Sequence, residues 1–176
     1  TPLESLPLPA GPPDRRAVWR KLYAVVLPVL RVTLRPDEYE KVVAWWEIFL
    51  DDDRLVQYDP VFQHGDLWYG NLLVEQSRVV GLVDFEEAGR GDPAQDFVPQ
   101  LYLGERFLRQ VMGAFQKAGG AFDPGFEHRL AALWAVREFG GLAYSIKYDD
   151  PEELADSLEK IRKGPILSSY GLDGWG

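Results

Sequence analysis

A chain of 176 residues with 46% hydrophobic and 13% aromatic residues can fill a core and is not disordered. Its 28 Asp and Glu outweigh 19 Lys and Arg, and the net charge of −9 repels nucleic acid and favours cationic ligands. The absence of cysteine excludes disulfides, thiol catalysis and zinc–thiolate centres; the longest apolar run, near Leu22–Leu30, is too short for a bilayer. No export signal opens the chain, so a cytoplasmic protein with no membrane partner is the expectation.

Residues 1–13 carry Pro2, Pro7, Pro9, Pro12 and Pro13, which predicts an extended, proline-rich linker. Residues 14–176 read as one lobe. Asp14 caps a first helix that stops near Pro28, with Val18, Leu22, Val25 and Val29 as its apolar face. Pro36-Asp37-Glu38 starts a second helix buried through Val42, Trp45, Trp46 and Phe49, and Asp51-Asp52-Asp53 falls in the loop after it.

Short β-rich runs follow at Val61–Gln63, Leu72–Val74 and Val79–Val83, with a turn at residues 75–78. Asp92-Pro93-Ala94-Gln95 is a capped helix start. Helices are then expected at about Glu105–Ala118, Pro124–Tyr144 and Pro151–Arg162. Gly119-Gly120 and Gly140-Gly141 are read as interrupting these helices, the second pair alternatively as a close helix contact.

The chemistry lies in His64-Gly65-Asp66-Leu67-Trp68-Tyr69-Gly70-Asn71, answered by Val83-Asp84-Phe85 after one hairpin. Phosphoryl transfer needs a carboxylate beside the attacking hydroxyl, and an amide oxygen and a second carboxylate on Mg²⁺. In kinases the base and the amide lie five residues apart on one loop, as Asp66 and Asn71 do here, and the metal carboxylate follows the next strand, as Asp84 does. The blander alternative has His64 in the core, Asp66 in a turn, Asn71 at a strand cap and Asp84 opening a loop. The Gly-rich loop and strand lysine of a complete kinase site are missing from residues 1–63.

These residues, with Asp84-Phe85-Glu86-Glu87-Ala88-Gly89 and Gly91-Asp92-Pro93-Ala94-Gln95-Asp96, resemble the aminoglycoside phosphotransferase family, a branch of the protein-kinase-like fold. The resemblance implies an α+β, mainly α, C-terminal lobe with a short β-hairpin carrying the catalytic and metal loops, and no N-terminal nucleotide lobe. It implies Asp66 as catalytic base, Asn71 and Asp84 as Mg²⁺ ligands and His64 as a prop of the catalytic loop. Asp92 and Asp96 would brace the following helix. ATP or GTP would be the donor in the complete enzyme, and this fragment alone would be inactive. The face meant for the small lobe would leave an apolar patch open to self-association or to that lobe.

For a cationic acceptor, Glu87 resembles an acid that family members turn to the aminoglycoside, and Glu138, Asp149 and Asp150 are further candidates. Against them, Asp150-Pro151-Glu152-Glu153 is also what a solvated helix start requires. Two rivals stay open: a kinase for a fructosamine, choline or homoserine-type metabolite, and a binding lobe without catalysis.

Overall fold

The fold follows from where the chain can bury its aromatic residues, and the computed structural model describes residues 14–168. The linker expected over residues 1–13 lies outside them. Among the described residues, six α-helices and two small antiparallel sheets make the fold mainly helical, as the sequence predicts. The chain divides into two units, Gln57–Leu130 and Asp14–Val56 with the residues from Ala131 onward.

In the second of these, helix α1 (Arg15–Thr33) starts on Asp14, whose carboxylate accepts the Ala17 N–H at 3.0 Å. The helix does not stop at Pro28 but runs five residues beyond it. Proline removes the donor that would meet the Ala24 carbonyl one turn earlier, and both residues are exposed, where the loss is cheap. The buried stripe is Trp19, Val26 and Leu30 and not the expected valine face, since Val18 and Val25 are exposed. Valines at helical spacing mark a face; the bulky Trp19 decides which face goes inward.

Helix α2 (Pro36–Asp51) begins with Glu38 reaching back to the Arg35 N–H at 3.0 Å. It buries Val42, Trp46 and Phe49, while Trp45 is only half-buried. Asp51 closes the helix, and Asp53 opens a 3₁₀ turn (Asp53–Val56) where a plain loop was expected. Trp46 meets Tyr23, Phe49 and Phe139 with ring centroids 5.0, 5.4 and 5.2 Å away. Truncating such a residue to alanine costs about 3–5 kcal/mol.

In the first unit, β1 (Val61–Gln63) pairs with β4 (Gly89–Gly91), and β2 (Leu72–Glu75) pairs with β3 (Arg78–Leu82). Gly89-Arg90-Gly91 has no β-propensity; the Gln63 amide group lies 2.6 Å from where a Gly91 Cβ would stand, so a side chain there would have to displace it. The β2–β3 turn is Gln76-Ser77, both with positive φ, 48° and 61°. A two-residue hairpin of this twist requires that, usually from Asn-Gly. Leu73 faces Gly81 and Val74 faces Val79, so Val80 is an extra, bulged residue on β3. Leu73, Val74, Val79, Val80 and Leu82 are all exposed.

After β4 come α3 (Ala94–Phe97), a 3₁₀ stretch (Val98–Leu103) and α4 (Glu105–Lys117). Phe97, Phe115, Phe122 and Phe126 pack edge-on or tilted, with centroids 4.1–5.4 Å apart, and fix these elements to one another. Helix α5 (Phe126–Tyr148) starts later and ends later than expected and passes through Gly140-Gly141 unbroken. A Cβ at Gly141 would lie 2.5 Å from Ser157 Oγ and 2.6 Å from Glu153 Oε1, so the glycine permits a close approach to α6 (Pro151–Lys163). No described helix is long and apolar enough to cross a membrane.

Candidate active site

The segment from His64 to Asn71 has little regular structure, so its backbone groups must find partners elsewhere. The His64 and Gly65 N–H groups each donate to the Asp96 carboxylate at 2.8 Å. Asp96 therefore braces the motif loop itself. Burial raises the Asp96 pKa above the ordinary carboxylate value; the two N–H donors and His64 pull it down, and Asp66 pushes it up.

Gly65 has φ +88°, and a Cβ there would stand 2.4 Å from the Glu87 carbonyl oxygen and 2.8 Å from its Cβ. This backbone contact sets Glu87 beside the residue preceding Asp66. Asn71 is buried, and its side-chain nitrogen donates to the Asp66 backbone carbonyl at 2.9 Å and the Asp66 carboxylate at 3.2 Å. A planar amide so committed turns its oxygen away from Asp66.

The arm leading to Asp84 is tied back to the motif loop through Val83. The Val83 N–H donates to the Asn71 carbonyl at 3.1 Å, and His64 Nε2 lies 3.0 Å from the Val83 carbonyl. A carbonyl only accepts, so Nε2 carries the proton, and the buried Nδ1 has no partner. The His64 ring packs on Phe85 at 4.6 Å. Asp84 sits between these two anchored neighbours with φ +65°, a left-handed conformation that a short polar residue tolerates best.

Asp92 does what its sequence context suggested and more. One carboxylate oxygen accepts the Ala94 N–H at 3.0 Å, and the other accepts from Arg129 Nε at 3.0 Å, with both side chains buried. Arg129 also holds Asp123 through two bonds, 2.9 and 2.6 Å, and donates to the Gln57 carbonyl at 3.2 Å. The sequence reading missed Arg129, because an arginine on an apolar helix gives no sign of its partners.

The remaining acids lie in the other unit. Glu138 faces Lys160 at 3.9 Å. Asp150 caps α6 by accepting the Glu152 and Glu153 N–H groups at 3.1 and 3.0 Å, which is the helix-start role weighed against substrate binding. Asp149 precedes it with φ +54°.

A family model described as APH, phosphotransferase enzyme family, matches residues 2–134. The chain is 32% identical over 114 residues to viomycin phosphotransferase of Streptomyces vinaceus, a match covering 62% of this chain and 39% of that protein. A solved macrolide 2'-phosphotransferase type I aligns with a TM-score of 0.62 at 26% identity, covering 81% of this chain and 47% of its own. A GDP and kanamycin complex of APH(2")-IIia aligns with a TM-score of 0.72 at 19% identity over 88% and 52% of the two chains, a likeness of fold alone. The chain thus spans about half the length of the solved proteins it matches, and less of the curated relative. By the extent of the family match, the chain belongs to the APH phosphotransferase enzyme family, as its motifs imply.

Proposed function

We propose that this chain is the acceptor- and metal-binding, C-terminal lobe of an antibiotic O-phosphotransferase. The observation that carries the reading is Asn71, whose side chain ties the Asp66 carboxylate to the loop while its backbone carbonyl anchors the strand end before Asp84. Asp66 accepts the proton of the acceptor hydroxyl and aims its oxygen at the γ-phosphorus of ATP or GTP. The amide oxygen of Asn71 and the carboxylate of Asp84 are hard donors that suit Mg²⁺. Among the described residues no group of three His, Cys, Asp or Glu side chains could cage an ion, so nucleotide phosphates and water complete the shell. When bound, the ion neutralises charge on the transferring group.

An aminoglycoside is the acceptor we favour, since a net charge of −9 attracts a polycation and Glu87 packs against Gly65, the residue that precedes the base. The identity to a viomycin phosphotransferase supports testing that antibiotic equally. The exposed apolar residues of the β2–β3 hairpin support a further lobe, or a second copy of the chain, lying over this face. The chain by itself lacks a phosphate-cradling loop and a strand lysine and so should not turn over.

The deciding experiment supplies ATP or GTP with Mg²⁺ and a panel of aminoglycosides, viomycin and macrolides to this chain and to the full-length protein. Phosphate transfer is followed by mass spectrometry. Transfer by the full-length protein alone supports the reading. Multiple turnover by the isolated chain overturns the half-enzyme part of it, and no transfer to any antibiotic redirects the search to other hydroxylated metabolites.

A further inference from the structure

One backbone group of the motif loop is satisfied by a residue that no motif contains. The Asp66 carbonyl accepts from the Trp68 N–H at 3.0 Å and from the Asn71 side chain, and the Trp68 carbonyl accepts from the Asn71 N–H at 3.1 Å. Ahead of Asp66, the His64 and Gly65 N–H groups rest on Asp96. Directly behind Asp66, the Leu67 carbonyl turns away from the loop, and it accepts at 2.5 Å from Nε2 of Gln100.

Gln100 is buried in the 3₁₀ stretch that follows α3, four residues after Asp96. Its amide has two N–H bonds to give. One goes to Leu67, and the other returns at 3.2 Å to the Asp96 carbonyl, which fixes the side-chain rotamer. Two residues one helical turn apart therefore hold the loop on both sides of Asp66: a carboxylate takes the amides before it, and an amide takes the carbonyl after it. The Asp66 side chain is in turn restrained by Asn71.

We propose that Gln100 is a positioning residue for phosphoryl transfer, acting through the Leu67 carbonyl to fix the backbone from which Asp66 projects. The inference rests on the reading of Asp66 as the base. Gln100 touches neither acceptor nor nucleotide, so its loss lowers kcat and leaves KM nearly alone. A displacement of about 1 Å at a reacting group can cost about 10²-fold in rate.

The test uses the full-length protein with two variants. Gln100→Met keeps the length and removes the donor. Gln100→Glu keeps the shape and donates only when protonated, in a setting that contains the Asp96 and Asp66 carboxylates and the His64 imidazole. Gln100→Met should lower kcat about 10–100-fold with less than about a twofold change in KM for nucleotide and antibiotic, and should speed hydrogen exchange at the Trp68 and Asn71 amides. Gln100→Glu should lose kcat as pH rises, more steeply than the wild type. It also decides the matter alone if Gln100→Met does not fold.

Unchanged kcat with only a lower melting temperature would overturn the proposal and make Gln100 a packing residue. So would unchanged exchange at both amides. The exchange measurement does not depend on turnover, so an inactive wild type would refute the phosphotransferase reading while the clamp is still judged on its own.

Discussion

Replacing Arg129 with methionine tests how much of the first unit hangs on one buried cation. Its guanidinium meets the buried Asp92 through Nε at 3.0 Å, Asp123 through both terminal nitrogens, the Gln57 carbonyl, and the Tyr58 ring at 5.4 Å. Arg129→Met removes all of these and leaves a carboxylate in the interior without its charge partner. Breaking a buried pair in this way costs about 3–5 kcal/mol. Here Asp92 keeps the Ala94 N–H and Asp123 is partly open to solvent, which places the loss near the lower end, about 3 kcal/mol. With a urea slope of about 2 kcal/mol/M, the unfolding midpoint should fall by about 1.5 M. Urea titration followed by tryptophan fluorescence measures it. The double variant Asp92→Asn/Arg129→Met has no orphaned charge and should be more stable than Arg129→Met alone, a coupling on the order of 1–3 kcal/mol. An unfolding free energy within about 0.5 kcal/mol of the wild type, or simple additivity in the double variant, would refute the reasoning.

In the full-length protein, Asp66→Asn and Asp84→Asn should each cut kcat by at least about 10²–10³-fold while thermal melting barely moves; near-normal turnover of Asp84→Asn in Mg²⁺ would remove it from the metal site. Gly65→Ala must place a Cβ against the Glu87 backbone at a positive φ, so it should destabilise by about 1–3 kcal/mol or more and slow turnover; a wild-type melting curve with full activity would show that this contact relaxes freely. The hydrogen bonds from Arg129 hold the Asp123 carboxyl below its usual pKa. Its contribution is therefore present above the unfolded value near 3.9 and lost as pH falls through the lower folded value. The stability gap between wild type and Asp123→Asn should be constant from about pH 5 upward and close in that acid window, while a gap that widens on acidification would reverse the sign.

The helices and the order of the motif strands were legible because they rest on local signals: Asp14 and Asp150 as caps, Pro36 at a helix start, Val-rich runs around a turn. What escaped depends on partners distant in sequence. β4 is two glycines around Arg90 and becomes a strand only because β1 offers it an edge. The inward face of α1 was misjudged because Trp19 outweighs the valines that carry its periodicity. At the site, the types and spacing of Asp66, Asn71 and Asp84 announced themselves, but Gln100 and Arg129 act through bonds spanning 33 and 37 residues, which no local pattern encodes.

The spare residue at Val80 has an evolutionary consequence. At the present chain length, a ladder running back from the Glu75–Arg78 pair without a bulge would set Val83 opposite Gly70; bulging out Val80 sets it opposite Asn71. The bulge thus absorbs one surplus residue of β3 and keeps the two motif arms in phase although their strands differ in length. A lineage that lost one residue from β2 or β3 would keep Asn71 and Val83 opposed only where that loss also straightens the ladder, as deletion of Val80 does. Any other single-residue indel between Asn71 and Asp84 has to fall in the Gln76-Ser77 turn, outside the paired region. Chain length between the two arms can therefore change at the bulge or in the turn, and elsewhere a change in length would shift Val83 away from Asn71.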